Sequence, residues 1–222
     1  IIDFSVPEGG SSGKAIHLYV TDNIEDLALY GIGVANNGNG SDGQEYTLPA
    51  VSATAGQHIL VVRDLAAMDS YMNASEIFDH VFVGDNTIAQ NGDDAIELFH
   101  LGYVVETFGD INVDGTGEYW EYMDSWAYKV NGEWTYGGVN CTDGSTTTCD
   151  SSCPYPFAEC ASGGPYEITF NVDMSNYPSG LGASDTVYLN GSFNGWCGEC
   201  TPMNYDDAEG IWTVTIALED GD

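Results

Sequence analysis

Positive charge is what this sequence has least of. Its 222 residues include only three basic side chains, Lys14, Arg63 and Lys129, against 35 acidic ones, for a formal net charge of −32. Nucleic-acid phosphates and anionic membrane surfaces repel such a chain, because every long-range electrostatic term has the wrong sign. The balance excludes nucleic acid as an expected partner. It favours an extracellular protein from a salty medium, local binding of divalent cations, or both.

Long apolar runs and catalytic motifs are also missing. No stretch is long enough to span a membrane and no signal peptide is recognisable, so we expect no membrane insertion and interpret Ile1 as the start of a mature or excised piece. The sequence has no G-x-S-x-G elbow, no H-E-x-x-H and no phosphate-cradling glycine loop. Among 35 carboxylates some pair always lies close, so such pairs do not indicate glycoside hydrolysis. We expect no enzymatic activity.

Cysteines form an even set of six, four of them within 20 residues. Those four lack paired C-x-x-C knuckles and have no histidine nearby, so disulfides are favoured over zinc. Three pairings of the four remain open. Disulfides indicate an oxidising, secreted or cell-surface setting. The six residues are Cys141, Cys149, Cys153, Cys160, Cys197 and Cys200.

The stretch "WCGEC" (196–200) contains the cysteine spacing of thioredoxin-type active sites. That chemistry requires the first cysteine at a helix N-terminus, where the helix dipole lowers the thiol pKa. Here "TPMNYDDAEGIW" follows, with no apolar face at helical spacing. We therefore predict a structural disulfide that stiffens the loop around Trp196, in preference to a redox site.

The first 139 residues predict many short strands and one helix. Apolar and aromatic runs bounded by turn residues mark the strands, and "DLAAMDSYM" (Asp64–Met72) begins on an N-capping aspartate. Leu101-Gly102 forms the tip of a predicted tight hairpin. Short strands without alternating helices predict an all-β, antiparallel sandwich. The strands are expected at 15–20, 46–51, 58–63, 80–85, 95–100 and 103–109.

The amino-acid composition changes after residue 139. Residues 140–164 are rich in Ser, Thr, Gly and Cys, and we interpret them as a disulfide-stapled linker. A second module is predicted over 165–222, with strands in "YEITFNVDM", "DTVYLNGSF" and "GIWTVTIAL". Three or four strands are fewer than a sandwich usually has. We expect this module to be truncated, with closing strands missing or supplied by a neighbouring subunit.

Two family resemblances become visible at this point. Residues 1–139 resemble the lamin-tail domain of secreted bacterial proteins in "GKAIHLYV", "YTLPAVSATAGQHILVVR", "NGDDAIELF" and "VVETFGDINVDGTGEYWEYMDSWAY". This resemblance implies an immunoglobulin-like β-sandwich that acts as an accessory module. Through "VYLNGSFNGW", residues 165–222 resemble the glycogen- and starch-binding β-module appended to secreted marine bacterial polysaccharide-degrading enzymes. That family implies glycan binding without catalysis, with Trp196 as one aromatic platform.

The strongest chemical signal is "DINVDGTGEYWE" (110–121), which matches D-x-[DN]-x-[DN]-G-x5-E without a gap. Alternate residues of such a loop direct hard oxygens at one centre, as calcium requires. A strand precedes it, so the loop would stand alone within a β domain and would have a structural role. The open alternative is an acidic, solvent-facing turn. The predicted calcium ligands are Asp110, Asn112, Asp114, Thr116 through its carbonyl, Glu118 and Glu121.

A sugar-facing site is predicted at Trp196, with Asn194 as a polar partner. Sugar rings pack their C–H faces on aromatic planes, and amides bind the hydroxyls. The alternative is that Trp196 simply packs over the Cys197–Cys200 loop. The aromatic run from 119 to 136 is expected to be core. The four histidines show no pairing that a metal site would need.

Together these features predict a calcium-stabilised, non-catalytic accessory region of a secreted or cell-surface protein, with a polysaccharide as partner. The alternative is a structural or adhesive subunit of an extracellular assembly, in which a neighbouring subunit completes the second module.

Overall fold

The computed structural model describes residues 1–7, 9–158, 160, 166–177, 181 and 184–218. The chain divides into two compact units, residues 1–160 and 161–222. Strands dominate both units and form several antiparallel sheets, which confirms the predicted all-β, sandwich-like class. The predicted boundary after residue 139 falls inside the first unit, and the one after residue 164 lies outside the described residues.

The first unit contains ten described strands in two sheets. One sheet has six strands in the order β10-β9-β1-β2-β5-β6, and the other has four in the order β4-β3-β7-β8. Neighbours are antiparallel except β5 and β6, which are parallel and joined through two helices. The strands are β1 (Ile2–Phe4), β2 (Gly13–Tyr19), β3 (Tyr30–Ala35), β4 (Tyr46–Thr47), β5 (His58–Val62), β6 (His80–Val83), β7 (Ala95–His100), β8 (Tyr103–Phe108), β9 (Ser125–Val130) and β10 (Glu133–Tyr136).

The central strands of the six-stranded sheet, β1 and β5 among them, are buried on both faces. Its inner face shares one hydrophobic core with the four-stranded sheet, and that core includes Ile16, Val61 and Ile96. Its outer face carries Phe4 and Leu60 and is covered by the helices and the cysteine-rich segment. Strands buried on both faces have continuous apolar runs, as "HILVV" in β5 illustrates. The first unit is therefore three layers thick.

The predicted helix is confirmed as α1 (Leu65–Met72). Asp64 caps it, because its carboxylate accepts a hydrogen bond from the Ala67 N–H at 3.1 Å. A short second helix, α2 (Ala74–Ile77), follows Asn73, which ends α1 in the left-handed conformation. No periodic signal in the sequence predicts α2, since four residues are too few to show one.

The hairpin at Leu101-Gly102 is also confirmed. Both residues have positive φ, 53° and 78°, and the turn joins β7 to β8. Positive φ at both central positions gives the turn a twist that matches two antiparallel strands.

Two disulfides select one of the three open pairings in the cysteine-rich segment. Cys141 bonds to Cys153, and Cys149 bonds to Cys160. Tyr155 between them is fully buried against the outer face of the six-stranded sheet. Residues 140–160 therefore belong to the first unit, since this burial attaches them to its sheet. The rest of the predicted linker, residues 161–164, lies outside the described residues.

The second unit contains one described sheet, of order β11-β13-β12. Its strands are β11 (Tyr166–Val172), β12 (Asn204–Asp206) and β13 (Ile211–Leu218). The strand predicted at 185–193 is wrong. Those residues form a single bridge, Tyr188 to Pro202, and a 3-10 turn at Ser192–Asn194. Two backbone hydrogen bonds join Val187 and Leu189 to Met203 and Thr201, and asparagine side chains bind the backbone of the loop that follows.

In the described ranges, no helix has the length and apolarity that crossing a membrane would demand.

Candidate functional site

Trp196 is the most exposed tryptophan side chain described in the second unit, with 73% of its surface accessible. It follows the 3-10 turn and Gly195, and its own φ is +55°. The left-handed region is unfavourable for a bulky side chain and is maintained only when surrounding contacts determine it. The contacts of the surrounding loop must therefore stabilise this conformation of Trp196.

Asn194 supplies part of that support. Its Nδ2 donates to the Leu189 carbonyl at 3.0 Å and to Thr201 Oγ1 at 3.1 Å, and its Oδ1 accepts from the Gly191 N–H at 3.2 Å. The predicted role of Asn194 as a polar partner for a ligand needs correction, because its amide is directed into the loop. Backbone groups without a strand partner require such side-chain bonds. Asn194 is a positioning residue for Trp196.

A second asparagine and a disulfide hold the other side of the loop. Asn190 Nδ2 donates to the Gly198 carbonyl at 2.8 Å, and its Oδ1 accepts from the Gly198 N–H at 2.8 Å. Cys197 is bonded to Cys200, as predicted. Trp196 thus lies between two anchored positions, which explains how its backbone strain persists. Asn190 is not among the predicted site residues, although its place in "LNGSFN" marks it as a turn former.

The surroundings of Cys197–Cys200 do not match a thioredoxin-type site. The first regular element after Cys200 in the described chain is the strand β12, so neither sulfur lies at a helix N-terminus. Without that dipole the thiolate has no stabilisation from the backbone. The arrangement supports the structural interpretation of this disulfide.

The predicted calcium loop is ordered by its own backbone. Asp110 Oδ1 accepts from the Asn112 N–H at 2.9 Å, with the Asn112 amide at 3.5 Å. Asp114 Oδ1 accepts from the Thr116 N–H at 3.0 Å. The hydrogen bonds from Thr116 lower the pKa of the exposed Asp114 carboxyl. Each carboxylate therefore closes a local turn.

The remaining predicted ligands do not complete a coordination shell. Glu121 Oε2 accepts from the Gly117 N–H at 2.7 Å, Thr116 Oγ1 donates to Asp93, and Glu118 is exposed. Nowhere in the described chain do three His, Cys, Asp or Glu side chains gather closely enough to hold a metal ion. The arrangement does not fit bound calcium without rearrangement, and calcium binding stays a prediction. Backbone N–H groups compete for the carboxylates, which a spacing motif cannot reveal.

The aromatic run is core, as expected, with one exception. Trp120, Tyr122 and Trp126 are buried, and Trp126 Nε1 donates to the Cys153 carbonyl at 2.8 Å. Tyr119 is 82% exposed on the acidic loop. These tryptophans therefore belong to the two cores of the first unit and offer no surface for a ligand.

The first unit contains a pair of histidines that the sequence did not predict. His17 Nε2 and His58 Nδ1 are 2.8 Å apart, and His17 Nδ1 is 2.9 Å from the Tyr155 hydroxyl. Burial, then repulsion from the N-terminal amine and His58, lowers the pKa of His17 to about 2. His58 stacks on Phe157 at 4.1 Å. The contact arises because β2 pairs with β5, and no local signal indicates that pairing.

Comparison with models of known protein families, with curated proteins and with solved structures finds no match for this chain.

Proposed function

We propose that this chain is a non-catalytic, carbohydrate-binding accessory region of a secreted or cell-surface protein, with Trp196 as the platform for a sugar ring. The observation that carries the proposal is the exposed indole, held in a strained conformation by Asn190, Asn194 and a disulfide. A rigid aromatic side chain binds a sugar face with little ordering entropy left to lose. Strain kept at an exposed position points to function more than to stability.

The extracellular setting is supported by covalent structure and charge. All six cysteines are paired in three disulfides, which persist in oxidising compartments. A net charge of −32 keeps the chain dispersed in a salty medium, where ions screen its self-repulsion.

Substituting Trp196 tests the carbohydrate site. Isothermal titration of the full chain with soluble α- and β-glucans is expected to show binding that Trp196→Ala weakens about tenfold or more, because burying an aromatic face contributes about 1.5–3 kcal/mol. Thermal unfolding of the variant should match that of the wild type. Tyr119→Ala is the matched control, since it removes an equally exposed ring from the first unit.

Absence of heat with every glycan, or equal binding by Trp196→Ala, would contradict the carbohydrate proposal. The alternative is then a structural or adhesive subunit. The strand β8 favours it, since it is an edge strand among the described residues and its Tyr103, Val104 and Val105 leave apolar surface exposed.

We also propose that the loop 110–121 binds calcium weakly after its carboxylates release their backbone partners. Exchanging those hydrogen bonds for the ion opposes binding, so we expect a dissociation constant near 10⁻³ M, typical of extracellular calcium modules. Calcium at about ten times that concentration should then stabilise the protein by about 1.4 kcal/mol, measured as a rise in the thermal midpoint.

Asp114→Asn is the sharpest control for calcium. The amide oxygen can still accept from the Thr116 N–H, so the turn is kept while one charge is removed. The variant should lose the calcium-dependent rise. An equal rise with magnesium, or in the variant, would show ionic screening of the acidic surface instead of a site.

A further inference from the structure

The six-stranded sheet contains a slot one strand wide. β1 lies between β2 and β9 but has only three residues, and it pairs with residues 13–15 on one side and 125–126 on the other. β2 continues to Tyr19 and β9 to Val130 without a partner on their inner sides in the described chain. Strands two places apart are separated by about 9–10 Å, twice the spacing of neighbours. The gap beyond Ile1 therefore has the width of a single extended chain.

Backbone groups of β2 face into this slot. The Val20 N–H donates to the Gln57 carbonyl at 3.0 Å, on the side of β5. Backbone polar groups alternate sides along an antiparallel strand. His17 and Tyr19 therefore direct their N–H and C=O groups away from β5, into the slot.

β9 contributes matching groups from the opposite wall. The Ile1 nitrogen donates to the Ala127 carbonyl at 2.7 Å, and the Ala127 N–H donates to the Ile1 carbonyl at 2.9 Å. This is a hydrogen-bonded antiparallel pair at the last position of β1. By the same alternation, Lys129 is the next residue of β9 that faces the slot.

A cavity of about 640 Å³ occupies the same place. On one side the cavity borders the apolar core between the two sheets. On the other side it borders the aromatic layer, which consists of Phe4, Tyr71, Phe78 and Tyr155 on the outer face of the six-stranded sheet. Residues of both flanking strands line it. The lining includes Ile1, Leu18, Ile32, Ile96, Phe108 and Tyr128.

We propose that this slot is a strand-receiving site, and that its occupant is extended polypeptide joined to the Ile1 nitrogen, which lengthens β1 by three residues. Ile2 is opposite Ala15, so Ile1 is opposite Ile16 and three positions remain before β2 ends at Tyr19. The first added residue exchanges hydrogen bonds with His17, the second with Lys129 and the third with Tyr19. All three unpaired positions are then satisfied.

The Ile1 nitrogen supports a joined occupant over a separate one. It lies at the mouth of the slot, already in strand register with Ala127. Burial lowers the pKa of this amino group from 8.0 to about 5, which reflects the difficulty of holding an ammonium there. A peptide N–H keeps the same hydrogen bond without a charge.

The register also predicts which side chains fit. Ile1 faces the core between the sheets, and Ile2 faces the aromatic layer. Side chains alternate along a strand, so the second added residue lies beside Leu18 in the core and should be apolar. The first and third lie on the other face, beside His17 and Tyr19.

Hydrogen exchange measured by NMR on three forms of the full chain tests the proposal. The forms are the 222-residue chain, the chain extended by Thr-Val-Thr before Ile1, and the chain extended by Thr-Pro-Thr. The Thr-Val-Thr form should show about tenfold slower or still slower exchange at the amides of His17, Tyr19 and Lys129, and a higher thermal midpoint. Proline at the second added position has no N–H to donate to the Lys129 carbonyl, so this control should show neither slower exchange nor a higher thermal midpoint.

Equal exchange at the three amides in all forms would overturn the proposal. So would equal protection of the 222-residue chain by the free Thr-Val-Thr peptide, because the occupant would then be a separate chain.

Discussion

Replacing Lys14 with methionine is expected to lower the free energy of unfolding by about 3–5 kcal/mol, the range for removing one partner of a buried ion pair. Lys14 Nζ lies 3.8 Å from Asp3 Oδ1, and both side chains are only 8% exposed. The ammonium group also donates to the carbonyls of Gln90 and Ala89. Methionine fills similar space but leaves these oxygens without that donor. The loss is measured by urea unfolding at pH 8. Burial raises the pKa of Asp3 to about 7, so the carboxylate is ionised at this pH and lacks its partner in the variant.

Two further variants separate the buried pair from charge in general. Lys129→Met removes the exposed pair with Glu106, whose side chains are 40% and 46% exposed, and should change stability by only about 0–1 kcal/mol. Lys14→Met combined with Asp3→Asn should recover much of the loss, since no uncompensated carboxylate remains. A Lys14→Met midpoint equal to that of the wild type would show the prediction to be wrong.

The second large effect is a loss of stability in acid through His17. Its pKa is about 2 in the folded protein, mainly because of burial, and about 6.5 in an unfolded chain. Below pH 6.5 the unfolded state therefore binds a proton that the folded state refuses. Stability from this residue is complete above pH 6.5 and falls by about 1.4 kcal/mol for each pH unit below it. Between pH 6.5 and 4.5 the loss is about 3 kcal/mol.

Asp3 acts in the opposite direction over part of this range. Its raised pKa means that the folded state binds a proton more readily than the unfolded state, so lowering the pH from 7 to 4 favours folding. The pH dependence of wild-type stability therefore does not isolate the contribution of His17. The measurement is the difference in unfolding free energy between the wild type and His17→Gln at several pH values. The prediction is supported if the unfolding free energy of the wild type falls relative to that of His17→Gln as the pH falls. A difference that stays constant with pH would contradict it.

Local sequence patterns were sufficient for several elements of this fold. Asp64 followed by Leu65, Met68 and Met72 predicted α1 and its cap, and the structure has both. The dipeptide Leu101-Gly102 between two apolar runs predicted a two-residue turn, and both residues have the positive φ that such a turn requires. These signals operate over a few residues, so no knowledge of distant segments was needed.

The same local reasoning failed where the partner of a segment decides its structure. Residues 185–193 look like a strand, but Asn190 and Asn194 bind the backbone of their own loop, and that loop presents Trp196. The carboxylates of Asp110 and Asp114 match a calcium motif, yet each accepts a nearby N–H group. In both places side chains and backbone compete for the same hydrogen bonds. Spacing alone does not reveal the outcome.

By itself the sequence determined the all-β class, the helix α1, the 101–102 hairpin and the prominence of Trp196. Only the tertiary structure decided the disulfide pairing of residues 141–160, the contact between His17 and His58, and the slot between β2 and β9. The physical reason is the sequence separation over which each feature is determined. Side-chain periodicity and turn conformation depend on neighbours in the chain, whereas strand order depends on which apolar faces bury one another across separations such as the 126 residues between Ile1 and Ala127.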